Sequence, residues 1–120
     1  MSYAVGARGW RRLLHASRYS YQGLKAAWQT QAAIRQEVVL LLLGLPLVFI
    51  LSLTAVERAL LLFSLLMVLI VELLNSAIEA AIDRIGLESH PLSGQAKDMG
   101  SAAVLVSLVA AAGVWLCVLW

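Results

Sequence analysis

Apolar residues run along this chain in three long blocks separated by short breaks. Val38 to Val56 is nineteen residues without a charge, closed by Glu37 and Glu57. Met99 to Trp120 is twenty-two residues without a charge. Each can cross a hydrocarbon core of about 30 Å as a helix. Between them Ala59 to Val71 is uncharged, with Ser64 as its one polar residue, and it passes without interruption into Glu72-Leu-Leu-Asn75-Ser-Ala-Ile-Glu79-Ala-Ala-Ile-Asp83-Arg84. The pattern predicts three membrane spans, over about 38–56, 59–82 and 99–120. Ahead of them, Trp10, Leu13, Leu14, Tyr21, Leu24 and Trp28 recur at three-and-four spacing with Arg and Lys on other faces. That is the pattern of an amphipathic helix lying in a membrane interface. The expected organisation is one domain: residues 1–36 as a surface segment and 37–120 as a three-helix transmembrane unit.

The middle block carries the candidate chemistry. At 100° per residue Glu72, Asn75, Glu79 and Asp83 fall within an arc of about 80°, spread over about 16 Å of axis. An acidic residue at the centre of a membrane helix costs roughly 2.5–3.5 kcal/mol on insertion scales, so such a residue reads as functional by default. A soluble amphipathic helix with a solvated acidic face is the alternative. The uncharged run from which the column grows argues against it.

Composition supports a membrane protein. Hydrophobic residues make up 62% and charged residues 13%, with a mean hydropathy of +0.87, against about 25% charged in soluble domains. Six of the nine basic residues (Arg8, Arg11, Arg12, Arg18, Lys25 and Arg35) precede the first acidic residue, Glu37. By the positive-inside rule the chain starts in the cytoplasm. A nucleic-acid arm is the competing reading of a basic N-terminus; with three spans downstream, no nucleic-acid partner is expected. A cleavable signal peptide fits poorly, since no apolar core follows the early arginines. The first span is expected to leave the membrane at Glu57-Arg58, in a tight hairpin with the second. The polar end of the second span and the turn-rich loop Ile85 to Gln95 then lie on the cytoplasmic side, where ATP is.

Several chemistries are unsupported. Cys117 is the only cysteine, which leaves no disulfide frame and no cysteine metal cluster. His15 and His90 are far apart in sequence, and neither common glycine-rich nucleotide loop is present. Oxygen ligands, a candidate carboxylate base and cations remain. Glu79 suits Mg²⁺, which takes one or two carboxylates together with phosphate oxygens. Lys97 and Arg12 suit phosphate charge. Glu72, set deeper, suits proton abstraction from a hydroxyl presented at membrane depth. These parts fit phosphoryl transfer, where positioning and charge neutralisation do most of the work. Proton or ion translocation along an acidic helix face fits the same residues equally well.

The run Glu-Leu-Leu-Asn-Ser-Ala-Ile-Glu-Ala-Ala-Ile-Asp-Arg at 72–84 resembles the signature of the small integral-membrane diacylglycerol kinases of bacteria, a family that also includes undecaprenol kinases. Three further blocks agree in order: Tyr19-Ser20-x-x-Gly23-Leu24-Lys25-Ala26-Ala27-Trp28, Ala32-Ala33-x-Arg35-Gln36-Glu37, and Ser93-Gly94-x-Ala96-Lys97-Asp98-Met99-Gly100-Ser101-Ala102-Ala103. The Ala-Ala-Trp and Arg-Gln-Glu blocks look more like the Gram-negative diacylglycerol kinase branch than the undecaprenol kinase branch. The resemblance implies an all-α homotrimer in the inner membrane, with a surface helix and three spans per chain and sites shared between neighbouring chains. It implies transfer of the ATP γ-phosphoryl group to diacylglycerol, with Mg²⁺ bound alongside ATP. Carried over, Glu72 accepts the proton from the lipid hydroxyl and Asn75 orients the reacting groups. Glu79 holds the metal. Arg12, Tyr19, Glu88, Ser89, His90, Lys97 and Asp98 complete the nucleotide site, and Ser20, Trp28, Arg35, Ser101 and Trp115 meet the lipid substrate together with Glu72.

One position departs from the family. Where the family carries a second metal-holding glutamate, this chain has Gln31. A glutamine carbonyl can still coordinate Mg²⁺ but removes a full negative charge. An impaired, non-catalytic scaffold is therefore one alternative to the diacylglycerol kinase reading; undecaprenol kinase activity, which the family also includes, is the other. Self-association is expected from the residues too, because three spans are expected not to shield Glu72, Asn75 and Glu79 from lipid. Ser76, Ala77, Ala80 and Ala81, with Gly100, Ala103 and the 110–113 run, permit close helix approach.

Overall fold

A computed structural model describes residues 8–86 and 88–120. The first seven residues of the predicted surface segment and Leu87 in the predicted loop lie outside them. The described residues form four helices, α1 (Trp10–Thr30), α2 (Ala32–Ile50), α3 (Ala55–Ile85) and α4 (Pro91–Leu119), and the last three are long and apolar enough to span a membrane. The protein is an all-helical transmembrane protein.

The chain divides into two compact units, residues 1–32 and 33–120. In the first, Trp10, Leu13, Leu14, Tyr21, Leu24 and Trp28 are all exposed, and Ala27 is the buried residue of α1. An apolar face left open in this way is what a helix needs if it is to lie in an interface. The helix stops at Thr30. Gln31 is extended (φ −120°, ψ 109°) and its N–H donates to Ala27 O at 2.8 Å.

In the second unit α3 and α4 pack as an antiparallel pair. Positions rising along α4 meet positions falling along α3: Lys97 with Asp83, Gly100 with Asn75, and Trp115 with Ser64. The buried side of α3 is Leu61, Ser64, Val68 and Glu72, and steps of three, four and four residues return to one helix face. Repeating those steps from Glu72 gives Asn75, Glu79 and Asp83. The polar column is thus the continuation of the core stripe. On α2, Ile34, Gly44 and Val48 are buried. A Cβ at Gly44 would stand 2.7 Å from Leu65 Cδ1, so the bare backbone there admits α3.

The helix boundaries correct two expectations. The first apolar helix covers 32–50, six residues earlier than 38–56 at both ends, and the connection to the next lies at Leu51–Thr54. Glu57 and Arg58 belong to the first turn of α3. The reason is a capping box: Glu57 N–H donates to Thr54 Oγ1 at 3.2 Å, and Glu57 Oε1 accepts from Thr54 N–H at 3.0 Å. Arg58 then reaches back to the end of α2, its Nε donating to Val48 O at 3.1 Å. An absence of charge marks where a helix can sit in lipid, whereas caps mark where it starts.

Candidate active site

Glu72 is 8% exposed. This overturns the expectation that one chain cannot cover it. It occupies a core position on α3, and Leu61 and Val68 hold the equivalent places further along the stripe. Asn75 and Glu79 are half-buried and Asp83 is exposed, so the column opens progressively toward the α3–α4 loop. Ser76 takes no part, since its hydroxyl donates back to Glu72 O at 2.9 Å.

Asn75 meets α4 at Gly100. Its Oδ1 is buried, with no hydrogen-bond donor among the described residues. A Cβ at Gly100 would collide with that oxygen and stand 3.2 Å from Asn75 Cγ. A buried acceptor without a donor costs about 1–3 kcal/mol, so the arrangement requires an explanation beyond packing.

At the loop end the structure gathers several predicted nucleotide residues. Asp83, Glu88, Ser89, His90, Ser93 and Lys97 line a cavity of about 280 Å³. Lys97 Nζ donates to Asp83 Oδ1 at 2.9 Å, with both side chains about half exposed. Its direct partner is therefore Asp83, one turn beyond Glu79. An exposed pair of this kind adds little stability, so an incoming phosphate can take the lysine at small cost. His90 is the N-cap of α4, its Nδ1 accepting from Leu92 N–H at 3.1 Å, with Pro91 opening the helix. Asp98 is exposed on α4 outside this cavity.

Of the residues expected to meet the lipid, the two on α4 stand apart. Ser101 is exposed on α4, and Trp115 lies fourteen residues further on, about 21 Å along the axis. Trp115 Nε1 donates to Ser64 Oγ at 3.1 Å, and Ser64 Oγ donates to Leu61 O at 2.7 Å. That short relay satisfies two polar groups at membrane depth. Trp115 also closes one end of an apolar cavity of about 360 Å³ between α2, α3 and α4, which Glu37 also lines. Sequence reasoning missed Glu37 as a residue lining this cavity. Its signal was a charge at the very edge of an apolar run, which reads as a boundary; α2 starts earlier and carries it within the helix. Arg35, also on α2, is half-buried.

The remaining candidates belong to the first unit. Arg12, Ser20 and Trp28 are exposed on α1. Tyr19 is half-buried, its ring stacked on His15 at 6.4 Å between centroids. Gln31 is half-buried at the joint between α1 and α2.

Residues 18–119 match the family described as prokaryotic diacylglycerol kinase. A protein named diacylglycerol kinase from Escherichia coli (strain K12) is 52% identical over 117 residues, covering 98% of this chain and 96% of that one. One of the same name from Pseudomonas aeruginosa is 49% identical, covering 95% and 93%. Another from Haemophilus influenzae is 46% identical, covering 89% and 91%.

Proposed function

Because this chain belongs to the prokaryotic diacylglycerol kinase family, we propose that it transfers the ATP γ-phosphoryl group to the hydroxyl of diacylglycerol at the α3–α4 end of its transmembrane unit, giving phosphatidic acid. One observation carries the placement. A buried carboxylate, Glu72, shares a face of α3 with Asp83, whose partner Lys97 lines the same cavity from α4. Glu72 lies about two turns, or roughly 10 Å, below Glu79. The lipid hydroxyl enters at the depth of Glu72, which takes its proton as the oxygen attacks the γ-phosphorus. The bond from that phosphorus to the β–γ bridging oxygen breaks, and ADP leaves. Lys97 exchanges Asp83 for phosphate oxygens and neutralises their charge. Asn75 orients the reacting groups. Glu88, Ser89 and His90 border the nucleotide, with Asp98, Arg12 and Tyr19 assigned to the same site. Ser20, Trp28, Arg35, Ser101 and Trp115 contact the lipid.

The donor set fits Mg²⁺ bound together with ATP. Among the described residues no three His, Cys, Asp or Glu side chains cluster into a protein cage. An ion that keeps one or two protein oxygens and takes the rest from phosphates needs no such cage. Glu79 is its carboxylate ligand and Gln31 the neutral one. When bound, the ion supplies charge compensation at the phosphates.

In our reading the chain sits in the bacterial inner membrane with its N-terminus and site in the cytoplasm. The basic segment before the first span supports this orientation. It works as a homotrimer with sites shared between neighbouring chains. Supporting this, Asn75 and Glu79 remain half-exposed on a membrane helix, and Ala80 and Ala81 leave small exposed surface beside them. A coupled ATP assay in mixed micelles tests the function. ATP consumption should depend on diacylglycerol and exceed that with undecaprenol. A preference for undecaprenol would reassign the substrate, and ATP-independent charge movement in liposomes would favour an ion conductor.

A further inference from the structure

We propose that Gly100 is a positioning residue for phosphoryl transfer: its lack of a side chain lets Asn75 seat its carbonyl oxygen on α4, which fixes the plane of the amide and leaves Nδ2 to act on the substrates. The inference rests on the reading of Asn75 as a residue of the kinase site. Three observations meet here. Gly100 is buried among the described residues of α4. The direction in which any other residue would carry Cβ is filled by Asn75 Oδ1. That oxygen is buried and has no donor among the described residues.

The chemistry follows from the two ends of a carboxamide. If Asn75 served only to hold α3 against α4, its oxygen would be expected to face a conventional donor, since a buried acceptor without one is unfavourable. It faces instead the Cα–H of a glycine, a weak partner but a close and rigid one on a packed helix. With Oδ1 seated against Gly100, Nδ2 is the other arm of the planar amide and diverges from that contact. A donor held in advance spares the transition state the cost of orienting it. The glycine also ties the amide to the same helix as Lys97, three residues earlier. The proton-accepting helix α3 and the phosphate-binding helix α4 thus share one contact at the reacting depth.

Asn75 is the only asparagine in the chain, so protein labelled with ¹⁵N-asparagine in micelles reports a single side-chain NH₂ group. We expect Gly100→Ala to move that signal, to lower kcat by about tenfold or more, and to leave KM for ATP within about twofold, since the nucleotide residues at the mouth are untouched. Placed in an Asn75→Ser background, the same substitution should cost far less kcat, because the shorter side chain vacates the space that Cβ takes. An unmoved NH₂ signal in Gly100→Ala would overturn the proposal. So would an equal kcat loss from Gly100→Ala in both backgrounds. Should Gly100→Ala fail to assemble, the Gly100→Ala, Asn75→Ser pair should restore assembly; failure of the pair as well would show that the glycine serves backbone packing alone and refute the assignment. Asn75→Ala by itself separates this from the reading beneath it: retained turnover in that variant would remove Asn75 from the site whatever Gly100 does.

Discussion

The two ends of the three-helix unit use similar residues for opposite purposes. At the α2–α3 turn every charge is absorbed by backbone. Glu57 and Thr54 cap each other's N–H groups, and Arg58 bonds Val48 O and Leu53 O while lying over the Phe49 ring, 5.5 Å from its centroid. At the α3–α4 end the charges are not spent on caps. Lys97 holds an exposed carboxylate, Glu72 is buried in a core position, and Asn75 presents its oxygen to a glycine. Helix ends need donors and acceptors, and a charged residue that meets that need is removed from chemistry. The residues left over are those able to change partners when a substrate arrives. Function therefore follows what a polar group is bonded to more closely than its residue type.

The contrast is sharpest at Glu72. Glu72→Gln keeps the shape of the core position and removes the proton acceptor, so turnover should fall by about 10²–10⁴-fold while assembly in micelles is retained. Near-normal turnover would place this carboxylate with Glu57, as a structural group. Next comes Lys97→Ala, expected to weaken ATP use by about tenfold or more and to change diacylglycerol affinity little. A loss confined to lipid affinity would mean that the cavity at the loop does not receive phosphate.

A smaller effect is expected at Gln31, the extended residue between α1 and α2. Gln31→Glu adds a second carboxylate for a shared ion, and magnesium titrations should show half-maximal activity at a lower concentration. That gain should shrink in Glu79→Ala. An unchanged or higher magnesium requirement would exclude position 31 from the metal ligands. The least effect on turnover belongs to the opposite end. Thr54→Ala removes the cap of α3 and should cost about 0.5–2 kcal/mol of stability, read as a lower thermal midpoint in micelles, with kcat per assembled enzyme unchanged. A drop in kcat there would show that the two ends are coupled and that the division drawn between them is false.

Much of this molecule is written in its local pattern. Three spans follow from three long apolar blocks, each long enough to cross the hydrocarbon core as a helix. The polar column follows from the spacing of Glu72, Asn75, Glu79 and Asp83, since a helix fixes which residues share a face. Lys97 stood out as the cation beside a turn-rich loop. The Thr54-x-x-Glu57 spacing of the capping box is also legible, and it places the first turn before Ala55. What only the tertiary structure decided are matters of partnership. Periodicity shows a column but not that it extends the core stripe of Leu61, Ser64 and Val68, because burial depends on the neighbouring helices. It shows Lys97 but not its choice of Asp83 over Glu79, which the axial register of α3 against α4 sets. It shows Gly100 as one small residue among many on α4. That this one faces an asparagine oxygen, and Gly44 a leucine and a tryptophan, depends on helix rotation and register, to which a residue without a side chain contributes no pattern of its own.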